Sequence, residues 1–426
     1  METNRENRKK IAIVGAGISG LTAAYVLNQT HNVDIYEKND YLGGHTNTRE
    51  VLDSQQLIVP VDTGFIVCNA KNYPNFYKLL DKLGVKLRDS NMSFGFYCEE
   101  TRLNYVGPDL REFLGNPNNL LDLKFLKMLF EKYRFNKKVL SDLKLNKLNA
   151  KSMGEYLAEF AASKYFTENY LNPLLASIWS SSENDLKLFP AQTFATFFRN
   201  HGMLEFGTRP KWQTVVGGSY SYIKAIREKF SGNVFLNSKI DKVIRSIDGI
   251  NIKVDGEDKR YDRVILATHA NEALDLLGDP SHEETSYLNS WRYSQNRTVL
   301  HKDSSILPVN KKMWASWNYF KKDSKDKLKV AITYYMNKLQ GFKASDDFFV
   351  TLNPDHNLDA NKIIYEVNYT HPIYDNLAIS AQDKLKALNG QRNTYFCGAH
   401  FGYGFHEDGV KSALDVCSHF GLGLEQ

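Results

Sequence analysis

The chain has 426 residues, of which 42% are hydrophobic and 24% are charged, and its formal net charge at pH 7 is +5. This length allows two or three domains with a sizeable core, and the composition excludes a disordered or fibrous chain. No run of 18 apolar residues occurs, and the polar start METNRENRKK leads directly into the first apolar run. We therefore expect no membrane-spanning helix and no signal peptide, and a cytoplasmic location.

Cysteines and charge exclude two further classes of function. The four cysteines are scattered, without C-x-x-C spacing, so the sequence predicts no metal site and no redox dithiol and fits a reducing compartment. The modest positive charge comes without a nucleic-acid recognition motif, and we expect no nucleic-acid partner.

The first motif is a glycine-rich turn between a strand and a helix. Residues 11–14 form the short apolar run of a buried parallel strand, and residues 21–28 have the composition of a helix. Between them lie Gly15, Gly17 and Gly20. The first glycine permits a tight turn, the second lets the backbone approach a pyrophosphate, and the third lets the helix pack on the strand. The phosphates would lie at the helix N-terminus.

A second strand, residues 33–36, follows the helix and ends at Glu37. This is the separation at which a carboxylate meets a ribose hydroxyl. Because an acid here would repel a 2′-phosphate, the motif favours FAD or NAD over NADP.

A second glycine pair separates FAD from NAD. The segment NDYLGGHTNT contains Gly43 and Gly44, followed by His45, and VPVDTGFIVCN contains Thr63 and Gly64. A glycine pair just after the acidic strand is not part of an NAD site. It resembles the flavin-containing amine oxidase superfamily, in which Gly-Gly-Arg passes close to the flavin and its phosphates; here His45 stands in place of the arginine.

The C-terminal segment NTYFCGAHFGYGFHEDGVKSALDV extends the resemblance. It predicts a strand at residues 394–397, a glycine-broken loop and a helix that begins near Glu407. In the superfamily this helix points its N-terminus at the flavin. A further pair of strands, KIDKVI and RVILATHA, is similar to the segments that cover the adenine with the backbone of Val243 and return the chain to the sheet near Ala267.

The resemblance implies an α/β fold: a discontinuous, Rossmann-like FAD-binding domain of the amine-oxidase type, with an inserted substrate domain of mixed β-sheet and helices. A capping box at Ser152 and Glu155 marks one helix of the insert. The expected boundaries are 1–89, 207–280 and 388–426 for the FAD-binding domain, 90–206 and 281–387 for the substrate domain, and about 109–205 for its helical subdomain.

The implied cofactor is FAD, held without a covalent bond. The residues expected to bind it are Gly15, Gly17, Ile18, Ser19, Gly20, Glu37, Lys38, Gly43, Gly44, His45, Thr46, Thr63, Gly64, Val243, Gly398, Glu407, Asp408 and Val410.

A finer resemblance runs through nearly the whole chain. The segments LGGHTNT, FPAQTFATFFRNHG, RPKWQTVVGGS and GYGFHEDG, in this order, look like the FAD-binding proteins encoded beside, or fused to, cyclopropane-fatty-acyl-phospholipid synthases. This resemblance implies an oxidoreductase that oxidises or desaturates an apolar substrate, such as a methyl- or cyclopropane-modified acyl chain, with a lipid methyltransferase as partner. The alternatives are an oxidase of a small amine and a non-catalytic FAD-binding accessory protein.

Histidines and a lysine are the candidate proton carriers for such a reaction. His45, His400 and His406 lie in segments expected near the cofactor, and Lys211 lies in RPKWQTVVGGS. Aromatic residues of the later strands are candidate cavity walls, although such residues also form plain cores: Trp314, Trp317, Tyr319, Tyr334 and Tyr335.

The segment 121–148 combines apolar periodicity with positive charge. It holds eight lysines and arginines against three acids, and Leu123, Leu126, Phe130 and Tyr133 recur at three- and four-residue spacing. One interpretation is a surface helix whose apolar side covers the core. The other is an interfacial helix lying on anionic lipid, which would make the protein peripheral to the inner membrane face.

Overall fold

The computed structural model describes residues 8–107, 119, 121–205, 209–321, 331–354 and 358–425. Part of the predicted helical subdomain, residues 109–118 and 120, therefore lies outside the described residues. The strands are β1 Lys10–Val14, β2 Asn32–Tyr36, β3 Thr48–Leu52, β4 Ile58–Asp62, β5 Val67–Cys68, β6 Leu87–Asp89, β7 Phe94–Cys98, β8 Asn104–Val106, β9 Gln213–Val215, β10 Asn233–Phe235, β11 Ile240–Ser246, β12 Gly249–Val254, β13 Glu257–Tyr261, β14 Arg263–Leu266, β15 Arg292–His301, β16 Trp317–Lys321, β17 Ile332–Tyr335, β18 Phe349–Leu352, β19 Ile363–Ile373 and β20 Thr394–Phe396.

The helices are α1 Ile18–Leu27, α2 Pro74–Leu83, α3 Leu123–Lys144, α4 Met153–Phe160, α5 Lys164–Phe166, α6 Asn172–Trp179, α7 Glu183–Leu188, α8 Ala191–Asn200, α9 Tyr220–Lys229, α10 Ala270–Leu276, α11 His282–Leu288, α12 Met336–Leu339, α13 Asn376–Lys386 and α14 His406–Ser418. Among the described residues, no helix is both long and apolar enough to cross a bilayer.

A five-stranded parallel sheet is built from distant parts of the chain, in the order β10-β2-β1-β14-β20. Ile11, Ala12 and Ile13 in β1 are fully buried, as expected for a central strand covered on both faces. Helix α1 follows β1, and α14 packs on α1. The two strands KIDKVI and RVILATHA are not neighbours: β11 pairs with β12 in a three-stranded antiparallel sheet, whereas β14 lies between β1 and β20.

A seven-stranded mixed sheet forms the second layer, in the order β19-β15-β18-β17-β16-β7-β8. Only the β16–β7 pair is parallel. The hairpin of β3 and β4 packs on this sheet, where Val51, Val59 and Val61 join Leu300 and Ile332 in one buried cluster.

The register of the seven-stranded sheet defines one continuous surface, which we call the inner face. Side chains of paired residues point to the same side of a sheet, and alternate residues share that side. The inner face carries Phe94, Phe96, Tyr105, Ser294, Asn296, Thr298, Leu300, Trp317, Tyr319, Ile332, Tyr334, Val350, Leu352, Val367, Tyr369 and His371.

The helical region between β8 and β9 packs through its own aromatic core. The predicted capping box is confirmed: Ser152 Oγ accepts the N–H of Glu155, and Glu155 accepts the N–H of Ser152. Helix α3 places Phe125, Met128, Phe135 and Val139 in the core.

Candidate active site

The loop between β1 and α1 presents a free helix N-terminus. Helix α1 begins at Ile18, its N-cap Gly17 makes no side-chain cap, and no acid lies in its first turn. The first intrahelical hydrogen bond runs from Leu21 to the carbonyl of Gly17 at 2.9 Å. The N–H groups of Ile18 and Ser19, which precede this bond, have no acceptor within the helix, and such an end favours an anion.

Steric contacts within the protein explain Gly15 and Gly20, but not Gly17. A Cβ on Gly20 would overlap the carbonyl oxygen of Gly15, and a Cβ on Gly15 would lie 2.7 Å from the carbonyl oxygen of Ala267. A Cβ on Gly17, in contrast, would meet no protein atom within 4 Å. The space beside Gly17 therefore suits a group that the backbone must approach closely, such as a pyrophosphate.

Glu37 lies at the end of β2 and is only 5% exposed. Its carboxylate accepts the N–H of Ala16 at 2.8 Å and the side-chain amide of Asn39 at 2.7 Å. It thus stands beside the glycine loop, where a ribose would follow the phosphates. Its neighbour Lys38 points to solvent and forms an ion pair with Glu272 at 2.5 Å.

The second glycine pair lies directly against the first loop. The N–H of Gly43 donates to the carbonyl of Ala16 at 2.8 Å, and a Cβ on Gly44 would lie 3.3 Å from the Cα of Gly17. A side chain on Gly64 would overlap the carbonyl oxygen of His45. These close approaches bring His45 to the carboxyl edge of the parallel sheet, where ligands of doubly wound folds bind.

Thr46 and Thr63 are buried and hydrogen-bonded on either side of His45. Thr46 Oγ1 contacts the hydroxyl of Tyr222, while Thr63 Oγ1 donates to the carbonyl of Asn47 at 2.9 Å and lies 2.9 Å from the hydroxyl of Tyr369. These side chains hold the loop in place, and any contact with a cofactor would come from their backbone.

Opposite this loop, β19 places two rings over His45. The ring of Tyr369 stacks on that of His45 at 4.8 Å, and the ring of His371 lies 5.2 Å from it. His45 and His371 lie deep in the protein and keep an intermediate accessible fraction. Burial lowers the pKa of His45 well below its usual range, and lowers that of His371 to about 4. Both rings are therefore neutral at pH 7.

A chain of hydrogen bonds fixes the tautomer of His371. The backbone N–H of Arg297 donates to Asn353 Oδ1 at 3.0 Å, Asn353 Nδ2 donates to Asn296 Oδ1 at 2.8 Å, and Asn296 Nδ2 lies 2.8 Å from His371 Nδ1. Because a backbone N–H can only donate, each later amide is oriented by the one before it. His371 Nδ1 must then accept, and its proton lies on Nε2.

The ring of His45 differs from that of His371 in its hydrogen bonding. The backbone of Thr370 raises the pKa of His45 against the larger effect of burial, and its buried Nε2 has no hydrogen-bond partner among the described residues. A neutral imidazole has one donor and one acceptor nitrogen. In the tautomer that carries its proton on Nδ1, the unpaired Nε2 of His45 is the acceptor. The site thus presents one histidine that can take a proton and one that can donate a hydrogen bond.

The C-terminal loop adds a third buried histidine. His400 Nε2 is also without a partner among the described residues, and the His400 ring lies edge-on to Trp291 at 5.3 Å. Burial lowers the pKa of His400 to about 3. A Cβ on Gly398 would lie 2.6 Å from this ring, so a side chain at that position would displace it.

Two catalytic candidates are corrected by the structure. His406 is a hydrogen-bonded core residue: its Nε2 lies 2.9 Å from Thr46 Oγ1, its ring stacks on Phe65 at 3.6 Å, and burial lowers its pKa to about 3. Lys211 is 73% exposed and forms an ion pair with Asp89 at 2.9 Å. Neither side chain is positioned to exchange a proton with a substrate.

Two acids near the start of α14, predicted to bind the cofactor, have structural partners. Glu407 accepts the backbone N–H groups of Asn75 and Phe76 at the start of α2. Asp408 accepts those of Tyr403 and Phe405 at 2.9 Å each. Their carboxylates are therefore used within the fold, and only their backbone remains for a ligand.

The last two residues that were predicted to bind the cofactor also have contacts within the fold. Val410 is fully buried in the core that α14 shares with α1. The carbonyl of Val243 accepts the N–H of Gly278 at 2.9 Å, so an adenine would have to share that oxygen.

The five predicted cavity walls divide between the two sides of the seven-stranded sheet. Trp317, Tyr319 and Tyr334 lie on the inner face, and the indole N–H of Trp317 is buried without a partner among the described residues. Tyr335 points to the other side, where Trp314 packs edge-on against it at 5.3 Å. The assignment of Trp314 and Tyr335 to the cavity is therefore wrong: strand alternation directs Tyr335 away, and Trp314, which precedes β16, packs against Tyr335 and Phe349 on that other side.

Sequence reasoning missed the partners of His45. Tyr369 and His371 stand two residues apart in NYTHPIY, a spacing that puts both on one side of a strand. That alternation was the available signal. It could not show that β19 crosses above a loop more than 300 residues earlier.

The described residues fit FAD. They supply a free helix N-terminus beside Gly17, an acid at the ribose position, and buried ring nitrogens of His45 and His400 that have no hydrogen-bond partner among the described residues. Cys397 is fully buried beside this loop, and burial raises its pKa, which disfavours thiolate attack on a ring.

Comparisons with known proteins agree with this geometry. A family model described as flavin containing amine oxidoreductase matches residues 18–301, more than half of the chain. An L-amino-acid oxidase from Siganus canaliculatus is 25% identical over 333 residues, which cover 71% of this chain and 57% of that protein. A 4,4'-diapophytoene desaturase from Staphylococcus aureus is 24% identical over 303 residues, covering 63% of this chain and 57% of the desaturase.

In fold, the chain is similar to a solved CLA-producing fatty acid isomerase from P. acnes, with a TM-score of 0.68, 16% identity, and 97% and 98% of the two chains covered. The chain spans little more than half the length of the curated relatives described above. Members of the matched family are oxidoreductases that bind FAD. This chain belongs to the flavin-containing amine oxidoreductase family.

Proposed function

We propose that this FAD-dependent oxidoreductase removes hydrogen from an apolar substrate, such as a methyl- or cyclopropane-modified acyl chain of a phospholipid. The observation that carries the proposal is the neutral pair His45 and His371 at one end of the inner face, whose other end carries the partly exposed rings of Phe94, Trp317 and Tyr319. A neutral, apolar surface suits a substrate without charge. The names of two similar proteins, a diapophytoene desaturase and a fatty acid isomerase, support such a substrate.

Each histidine has a distinct role in this reaction. Bound FAD would supply the acceptor for a hydride from one carbon of the substrate. His45 Nε2 takes the proton from the adjacent carbon, so that a C=C bond forms and the two hydrogens leave as hydride and proton. His371 Nε2–H, held by the Asn296 chain, orients the substrate or keeps His45 in place.

The resemblance to proteins encoded beside cyclopropane-fatty-acyl-phospholipid synthases supports a lipid methyltransferase as the preceding enzyme or partner. The cofactor in this proposal is dissociable FAD.

The test is the visible spectrum of the purified protein under anaerobic conditions. Detergent-dispersed phospholipids with cyclopropane or methyl-branched chains should bleach the flavin band, whereas unmodified phospholipids should not. The variant His45→Asn should retain the flavin band but slow its bleaching by about 100-fold or more, the range of general-base catalysis. His406→Asn, which changes a core histidine of the same loop system, is the matched control and should bleach at the wild-type rate if it folds.

A second candidate is the oxidation of a small amine or amino acid, which the similarity to L-amino-acid oxidases favours. Bleaching by amines and not by lipids would support this candidate and refute the first. A flavin band that neither class bleaches would indicate an accessory FAD-binding protein.

A further inference from the structure

Helix α3 has two apolar sides, and only one of them packs on the core. Phe125, Met128, Phe135 and Val139 are buried. The periodic set identified in the sequence lies on the opposite side of the helix and is exposed: Leu123 72%, Leu126 38%, Phe130 63% and Tyr133 42%. Leu121, just before the helix, is 87% exposed. Contiguous exposed apolar side chains of this kind mark a binding surface.

Cations flank this exposed stripe. Lys124, Lys127, Arg134 and Lys137 are all exposed, and the ammonium of Lys137 lies over the ring of Tyr133 at 4.7 Å. Lys124 and Lys127 have no ion-pair partner among the described residues. We call the stripe and these four cations the outer face of α3.

The acids near the outer face are bound elsewhere. Asp122 accepts the N–H of Lys124 as the helix N-cap, and Glu131 accepts the N–H and hydroxyl of Ser163 at 2.6 Å each. Asp142 pairs with Lys138 on the inner side of the helix at 2.7 Å. The outer face is therefore positive as well as apolar.

An open groove runs beside the stripe. It has a volume of about 510 Å³ and lies between α3 and the α4–α5 corner, where Leu126, Phe130 and Phe160 line it. A groove of this size can take one end of an acyl chain or the apolar part of a headgroup region.

We propose that the outer face of α3 docks on an anionic phospholipid bilayer. Leu123 and Phe130 would enter the boundary between headgroups and acyl chains, while the lysine side chains reach lipid phosphates. Charge complementarity favours this occupant over a protein, because the centres of protein interfaces are depleted in lysine, whereas four cations here border a single stripe. The inference goes beyond the proposed function, since docking does not depend on which substrate is oxidised.

The test is cosedimentation of the full-length holoprotein with large vesicles. Wild-type protein should bind vesicles that contain phosphatidylglycerol and should not bind pure phosphatidylcholine. Binding should weaken when salt rises from about 0.1 M to about 0.5 M, because the Debye length falls below about 10 Å.

Two double variants test the two components of the face. Leu123→Gln with Phe130→Gln should weaken vesicle binding at least about ten-fold, and Lys124→Glu with Lys127→Glu should weaken binding to anionic vesicles and reduce its salt dependence. The matched control is Ile247→Gln, which removes an apolar side chain that is 99% exposed in the β11–β12 turn. It should bind vesicles like the wild type.

The proposal is overturned if the wild type does not bind anionic vesicles, or if Leu123→Gln with Phe130→Gln binds them like Ile247→Gln. It is also overturned if sedimentation equilibrium shows that the outer face joins two copies of the chain. Flavin bleaching by detergent-dispersed lipid should be unchanged in the outer-face variants. The docking and the proposed chemistry can therefore fail separately.

Discussion

Replacing Gly17 by alanine should separate FAD binding from folding. Gly17 has φ −74° and ψ −175°, a conformation open to any residue, and a Cβ there would meet no protein atom within 4 Å. The gain from restricting the unfolded chain, about 0.4–1 kcal/mol, offsets most of the loss from a poorer N-cap. The free energy of unfolding of the FAD-free protein should therefore change by less than about 1 kcal/mol.

The same methyl group would occupy the space that the pyrophosphate needs. Loss of one hydrogen bond to a charged group costs about 1.5–3 kcal/mol, so FAD affinity should fall by about ten- to one-hundred-fold. The contrasting variant is Gly20→Ala, whose Cβ would overlap the carbonyl oxygen of Gly15 and should destabilise even the FAD-free protein by about 1–3 kcal/mol.

Both variants are measured by urea denaturation of the FAD-free protein and by fluorescence titration with FAD. Wild-type FAD affinity in Gly17→Ala would refute the placement of the pyrophosphate beside Gly17. Equal destabilisation by the two variants would refute the steric argument.

Three further results are expected. Glu37→Gln should weaken FAD binding by about ten-fold in titration, because a charge-assisted hydrogen bond is lost; unchanged affinity would place the ribose elsewhere. Arg245→Met should lower the free energy of unfolding by about 3–5 kcal/mol in urea, because it leaves Glu284, 5% exposed and bonded to the guanidinium at 2.5 and 2.8 Å, as an uncompensated buried charge; a loss below about 1 kcal/mol would contradict this. Stability should fall as pH drops below 6.5, because burial lowers the pKa of His400 and His406 to about 3. The contribution of the two neutral rings to the free energy of unfolding is complete above pH 6.5. Each residue loses about 1.4 kcal/mol of it for every pH unit as the pH falls toward the pKa in the folded protein. His400→Gln should show a shallower decline in urea titrations at several pH values, and an unchanged slope would show that this ring is charged in the fold.

The parts of the site that depend on residues close in sequence were predictable. The strand, glycine turn, helix, strand and Glu37 lie within 30 residues, and the contact of Gly20 with the carbonyl of Gly15 is local to this unit. The capping box at Ser152 is equally local. The proton-carrying groups were predicted less well. His406 looked equivalent to His45 in sequence, and only the fold reveals that its ring is hydrogen-bonded to Thr46 and stacked on Phe65.

The sequence by itself determined the dinucleotide motif and its preference for an unphosphorylated ribose, because steric and hydrogen-bonding needs within one strand–turn–helix unit select specific residues. Only the tertiary structure decided that His371 meets His45, since that contact joins β19 to a loop 326 residues earlier. It also decided which side of α3 is exposed. Three- and four-residue spacing fits both apolar stripes of this helix equally well, and the choice between them follows from packing of Phe125 and Phe135 against the rest of the core.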